Sequence, residues 1–278
     1  MAEMQVVGRV SELWRYPVKS MQGEQVRSLE LSPSGVTGDR AYGLVDTSTG
    51  RLLSAKAVPP LFEARSRTVD GVVIITLPDG REVSADDAGA AAVLSAWLGR
   101  DVEVRRSGDG SGDESIEFEL RVDPADDDGE LFPWPARAGS FLDSAPIHLL
   151  TTGSLQAMAA ARPQTAWDVR RFRPNVLVDT GSTGGFVEDG WIGADVVIGS
   201  TGPTISVGKA CGRCAMPVRS QAALVSAGDP AGPDRPPLDR DVGVFRALTA
   251  EHDNNLGVYA DVTTVGTVTL GDEVQASA

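Results

Sequence analysis

The chain has two cysteines, and both lie in the stretch Lys209-Ala210-Cys211-Gly212-Arg213-Cys214-Ala215-Met216-Pro217. The thiolate, rather than the thiol, attacks electrophiles and binds soft metals, and a neighbouring cation favours it. Arg213 stands beside Cys214, which makes Cys214 the first candidate for chemistry. Three kinds of site fit a Cys-x-x-Cys pair: a redox couple, half of a zinc centre, or two small buried side chains. A zinc centre would have to recruit both histidines, His148 and His252, at separations that match no finger or ribbon. A thioredoxin-like couple needs the motif at a helix start among βαβ units, which Pro217 and the β-rich surroundings oppose.

The second set of candidates is cationic. Arg170-Arg171-Phe172-Arg173-Pro174-Asn175 is the densest basic run in a chain of 39 acids and 25 bases, and it leads into the apolar Val176-Leu177-Val178. Cations beside a buried strand are costly to desolvate unless a carboxylate or a bound anion answers them. Asp168 and Asp179 could provide a salt-bridged edge; a bound anion is the other reading. Pro174 is expected to hold Arg173 extended, so that its planar fork is aimed. Near the start, Tyr16-Pro17-Val18-Lys19-Ser20 places a cation next to a hydroxyl, and Gly38-Asp39-Arg40 places an arginine at a tight turn. Solvated turn residues, with Arg40 paired to Asp39, are the plainer reading of both. His148, alone in an apolar run, reads as a hydrogen-bonded core histidine rather than a ligand.

Strands, more than helices, must position these groups. Apolar alternation predicts strands over 5–14, 26–31, 41–45, 71–77 and 81–83, with turns at 46–50 and 78–80. One helix over 90–98 interrupts them, with Asp86 or Asp87 as its cap and Gly99 as its stop. Short strands with a single helix suggest a small barrel or sandwich ending near Arg105. The Gly/Ser/Asp-rich segment 107–114 and the acidic segment 123–130 read as a connection, which divides the chain into domains 1–121 and 122–276. Further on, a strand over 141–150, a helix over 155–161 capped by Ser154, strands at 176–178 and 204–207, a helix over 242–252 and strands at 258–262 and 266–270 are expected. The fold class is therefore mostly β with a few helices (α+β), an N-terminal β-barrel-like domain preceding a second β domain.

A formal charge of −14 opposes a nucleic-acid groove or an anionic membrane as partner. No apolar run approaches the roughly 20 residues needed to span a bilayer, and Met1-Ala2-Glu3-Met4 has no signal-peptide pattern. With so few cysteines, a reducing, cytoplasmic setting is expected. Phosphate-binding loops, dinucleotide fingerprints and a Ser/His/Asp arrangement are all missing from the sequence.

Five short motifs, Tyr16-Pro17-Val18-Lys19-Ser20, Gly38-Asp39-Arg40, Phe172-Arg173-Pro174-Asn175, Cys211-Gly212-Arg213-Cys214 and Gly266-Thr267-Val268 through Gly271-Asp272, follow one another in an order that resembles MOSC-domain proteins. The resemblance is to the branch with an N-terminal MOSC β-barrel domain, which includes the mitochondrial amidoxime reducing components and their bacterial counterparts. It runs from about Val6 to Val274.

That resemblance implies a molybdenum cofactor, in which a pterin dithiolene carrying a phosphate holds the metal and a protein cysteine completes the coordination. Cys214 matches that ligand and is the implied catalytic position. Lys19, Ser20 and Arg40 match positions that hold the cofactor from the first domain. Ser144, Arg173, Asn175, Gly212 and Arg213 match positions that hold it from the MOSC β-barrel domain. A pterin phosphate would also answer the basic run, since arginine forks bind phosphate bidentately. The implied activity is reduction of small N-hydroxylated substrates (amidoximes, hydroxylamines, N-hydroxylated bases), with the cofactor carrying the hard chemistry. Electrons would come from a separate electron-donor protein of ferredoxin, flavoprotein or cytochrome type, docked on the acidic surface; two cysteines leave none for an iron–sulfur cluster. Other MOSC proteins imply the alternative of a sulfur carrier or cofactor delivery or storage protein. Where relatives commonly have an Asp-x-x-Thr-Gly type segment, this chain has Pro217-Val218-Arg219-Ser220-Gln221 and then a long Ala/Gly/Pro loop, and that region is expected to shape the substrate opening.

Overall fold

Val10 and Leu13 turn inward from the first strand, Met4–Arg15, and the partners they meet come from the far end of the sequence. In the computed structural model, which describes residues 4–108, 116–121, 130–135, 141–224 and 232–277, this strand pairs antiparallel with Glu273–Ser277 on one side and Val176–Asp179 on the other. Gly8 permits the close crossing, because a Cβ there would lie 2.4 Å from the Asp179 carbonyl oxygen. From Val176–Asp179 the ring continues through Ile147–Thr151, Asn255–Thr264, Thr204–Gly212, Asp195–Ile198 and Glu273–Ser277 to close a seven-stranded barrel. The single parallel pair, Ile147–Thr151 with Val176–Asp179, is the one joined by a crossover helix, Thr152–Ala161.

Strand alternation divides the apolar residues between two layers. Leu149, Val176, Val178, Ile205, Val258 and Val274 fill the barrel. Their neighbours Leu150 and Leu177 point outward onto Met158, Val244 and Leu248 of the helices Thr152–Ala161 and Val242–His252. Each such side chain contributes roughly 1.5–3 kcal/mol on full burial. The N-terminal half builds its own core, including Leu44, Leu61, Phe62, Ile75 and Leu94, from the ladder Arg65–Val69, Val72–Thr76, Glu82–Ser84, the pair Tyr42–Asp46 with Val102–Arg106, and the helix Ala90–Leu98. A hairpin, Glu117–Arg121 with Leu131–Pro135, lies between the halves in sequence. Mostly β with a few helices is thus the observed class.

Local details differ from expectation. Gly89, not Asp86 or Asp87, is the N-cap of Ala90–Leu98, because the Asp87 carboxylate accepts from the Gly89 N–H (2.6 Å) in a tighter local turn. The next helix begins at Thr152, and Thr151 caps it by accepting from the Ser154 N–H (3.1 Å). Ser154 instead donates its hydroxyl to the buried Glu188. Gly266–Thr269 pairs with Ser28–Ser32 and so ties the barrel to the N-terminal half. The expected connections at 107–114 and 123–130, and with them the expected division after residue 121, lie largely outside the described residues. Among the described residues no helix is long and apolar enough to cross a membrane.

Candidate functional site

Five chain segments converge where the barrel meets the N-terminal half. The stretch after the first strand brings Lys19 and Ser20, the turn at 37–40 brings Arg40, and the entry to Ile147–Thr151 brings Ser144. The turn before Val176–Asp179 brings Arg173 and Asn175, and the end of Thr204–Gly212 brings Gly212, Arg213 and Cys214. All nine of these sequence-predicted residues line one pocket. Asp143, His148, Met216 and Tyr259, not nominated from sequence as site residues, line it too.

The backbone around the pocket is strained. Ser20 (φ 66°), Arg40 (φ 47°) and Arg173 (φ 57°) are all left-handed, a conformation that costs a non-glycine residue roughly 1–2 kcal/mol. Pro174 therefore does not hold Arg173 extended. A 3-10 turn, Val169–Arg171, curls the chain so that the Arg173 N–H donates to the Val169 carbonyl (3.1 Å). Such outliers cluster where surrounding packing enforces a functional geometry.

Four lining cations, Lys19, Arg40, Arg173 and Arg213, face one lining carboxylate, Asp143. Lys19 donates to the Phe141 carbonyl (2.8 Å) and contacts Asp143; burial pushes its pKa down to about 8 against the pull of that carboxylate. Burial, and then the neighbouring Arg40, push Arg173 down to about 10. Arg173 donates to the Met21 carbonyl (2.6 Å), and its guanidinium lies 4.1 Å from the centre of the Tyr16 ring, with that of Arg40 4.4 Å from the same centre. Burial disfavours the Arg40 charge, but Asp39, Tyr16 and Asp143 together pull the other way and the net shift is upward. Asn175 fixes the floor by accepting from the His148 N–H (3.1 Å) and donating to Asp39 (3.2 Å).

Arg213 serves the other cysteine. Its Nη1 donates to Cys211 Sγ (2.7 Å) and its Nη2 to the Phe172 carbonyl (2.9 Å), because residues two apart on an extended segment share a face. Its Nε is buried with no hydrogen-bond partner among the described residues. Cys211 is fully buried, whereas Cys214 is half-buried on the pocket wall.

The basic run splits by role. Arg170 pairs with Asp168 (2.9 Å) and the Pro236 carbonyl (2.8 Å), and Arg171 donates to the carbonyls of Ala166, Pro217, Arg219 and Asp239. Asp179 takes no part, since it accepts from Thr152 and Gly181. Only Arg173 of the three arginines lines the pocket. Of the residues after the cysteines, Pro217, Val218 and Arg219 are buried and Met216 reaches the pocket wall, while residues 225–231 of the loop expected to shape the opening lie outside the described residues.

His148 is a core histidine, as its apolar context indicates. Its Nε2 lies 3.3 Å from the Leu256 carbonyl oxygen, and burial pushes its pKa down to about 3. Gly257 (φ 77°) makes room beneath it, since a Cβ there would come within 2.5 Å of that nitrogen. His252 is held elsewhere, on Asp189 (2.6 Å) and against Phe186. Among the described residues no three His, Cys, Asp or Glu side chains gather as a metal site, which leaves the zinc alternative without its ligand set. Sequence reasoning also missed Lys56, a buried cation 2.8 Å from Asp143, although a lone lysine in the apolar stretch 52–58 was the available signal.

Family models match the chain as a MOSC N-terminal beta barrel domain over residues 7–111 and a MOSC domain over residues 136–275. Mitochondrial amidoxime reducing component 2 of Bos taurus is 27% identical over 239 residues, covering 77% of this chain and 67% of that protein. Mitochondrial amidoxime-reducing component 1 of Xenopus laevis is 24% identical and covers 98% and 83%. Among solved structures, the YUAD protein from Bacillus subtilis superimposes with a TM-score of 0.45 at 9% identity, covering 99% and 98%. With four of the five motifs gathered in one pocket and both halves matched in order, the chain belongs to the MOSC-domain family, in the form that carries the MOSC N-terminal β-barrel domain.

Proposed function

We propose that the chain is a molybdenum-cofactor-binding oxidoreductase that reduces small N-hydroxylated substrates with electrons from a separate donor protein. The observation that carries this reading is the pocket itself: in a protein of charge −14, four cations and a half-buried thiol line one pocket. The donor set fits the group. An anionic pterin phosphate suits the surplus of cations and the unpartnered Nε of Arg213, and a thiolate suits a sulfur-rich metal site.

Lys19, Ser20, Arg40, Ser144, Arg173, Asn175, Gly212 and Arg213 would hold the cofactor, with Cys214 Sγ as the protein's metal ligand. When bound, the cofactor supplies two-electron redox chemistry at the metal. The chain's own contribution is positioning and charge. Arg173 and Arg40, braced on the Tyr16 ring, present their forks without a large loss of rotamer freedom. Lys19 keeps its proton on Nζ at neutral pH. Cys211, occupied by Arg213, fixes the strand end from which Cys214 projects. The names of the curated relatives support the reductive direction. A cytoplasmic setting and a donor of ferredoxin, flavoprotein or cytochrome type complete the proposal.

The test is elemental and pterin analysis of protein made in a host that synthesises the cofactor, followed by turnover of a model amidoxime with an artificial electron donor. Equimolar molybdenum and pterin with turnover is the expected result. Loading without turnover points to the carrier or storage alternative, and zinc or no metal overturns the reading.

A further inference from the structure

Lys56 is one of the most buried cations in the molecule, with 6% of its side chain exposed, and it does not line the pocket among the described residues. Its Nζ lies 2.8 Å from Asp143 Oδ2, while Lys19 contacts Oδ1 of the same carboxylate. Both ammonium groups lie 4.5 Å from the centre of the Phe118 ring, a residue of the hairpin that falls between the two family matches. The cluster thus holds two positive charges, one negative charge and an aromatic face, which is favourable to cations. Asp143 lines the pocket, and on its own it would cancel Lys19 and repel an anion.

We infer that Lys56 is a positioning residue that sets the anion affinity of the pocket without touching the ligand, by occupying Asp143 so that Lys19 keeps a surplus positive charge. The inference rests on the reading of this pocket as an anion site. With both lysines the cluster carries a net +1. Without Lys56 it is neutral; without Asp143 it is +2; without both it returns to +1. A purely structural role for Lys56 would not follow that order.

The experiment is isothermal titration of inorganic phosphate at low ionic strength into the full chain, made in a host lacking the molybdenum cofactor. Lys56→Met is expected to weaken binding on the order of five- to tenfold, and Asp143→Asn to tighten it by a similar factor, as expected for one charge several ångströms away. The double variant should return to the wild-type affinity, and Lys56→Arg should retain it. If Lys56→Met does not fold, the comparison of Asp143→Asn with the double variant decides, since neither leaves that carboxylate unanswered. Equal affinity in those two, tightening by Lys56→Met, or no phosphate binding by the wild type overturns the inference. Molybdenum loading and amidoxime turnover of the wild type are separate readouts, so failure of the proposed function is distinguishable from failure of this charge relay.

Discussion

Arg171 and Arg173 are two residues apart, and the chain treats them in opposite ways. Arg171 is 1% exposed and surrounded by four backbone carbonyls, an inward cation whose hydrogen bonds the protein itself satisfies. Arg173 lies on the pocket with one carbonyl, an aromatic face and a second arginine for company, in a left-handed backbone conformation. The first arrangement holds segments together, whereas the second leaves positive charge for something else to answer. Density of basic residues in sequence therefore does not report a binding site; the number of internal acceptors does.

The sharpest test of this contrast is Cys214→Ala, which removes the thiol on the pocket side. Molybdenum content should fall from equimolar to none with thermal stability nearly unchanged, whereas Cys211→Ala should only reduce it, and equal loss from both would favour a redox or zinc pair. Arg171→Ala should lower stability by about 3–5 kcal/mol, because it leaves buried carbonyls unpaired; denaturant unfolding measures it, and a loss under about 1 kcal/mol would break the contrast.

His148 gives a smaller, pH-dependent effect. The folded state keeps it neutral down to about pH 3, while the unfolded chain protonates it near 6.5. Its contribution is therefore complete above about 6.5 and is lost toward 3, at up to about 1.4 kcal/mol per pH unit. His148→Gln should flatten the acid limb of the stability profile by about one proton. The smallest effect is Arg173→Gly against Arg173→Ala: both should lose cofactor, and the glycine variant should be more stable by about 1–2 kcal/mol because it relieves the left-handed strain.

Much of this was legible in the sequence because it is local. Apolar alternation gave the first strand to within a residue at each end, and Gly99 marked the stop of the helix Ala90–Leu98. Eight of the nine site residues could be named because five motifs keep one order, although no single motif specifies a pocket, and Ser144 came from the resemblance alone. Long-range geometry was not legible. Nothing in 217–221 announces that it feeds carbonyls to Arg171, nor does Pro174 announce that a 3-10 turn will override its preference at Arg173. Caps two or three residues from the expected ones reflect competition among nearby oxygens for the same N–H groups, which only the folded turn decides.

The closure of the barrel by its first strand governs how the protein can be made. Met4–Arg15 leaves the ribosome well before Glu273–Ser277, the strand it pairs with. At roughly 5–20 residues per second, synthesis separates the two by about 10–50 s. During that interval the first strand has an unpaired edge, the kind that templates association with other chains. The N-terminal half can bury its own core while it waits, but the barrel, and with it the pocket wall that bears Cys214, is completed only once Glu273–Ser277 has emerged.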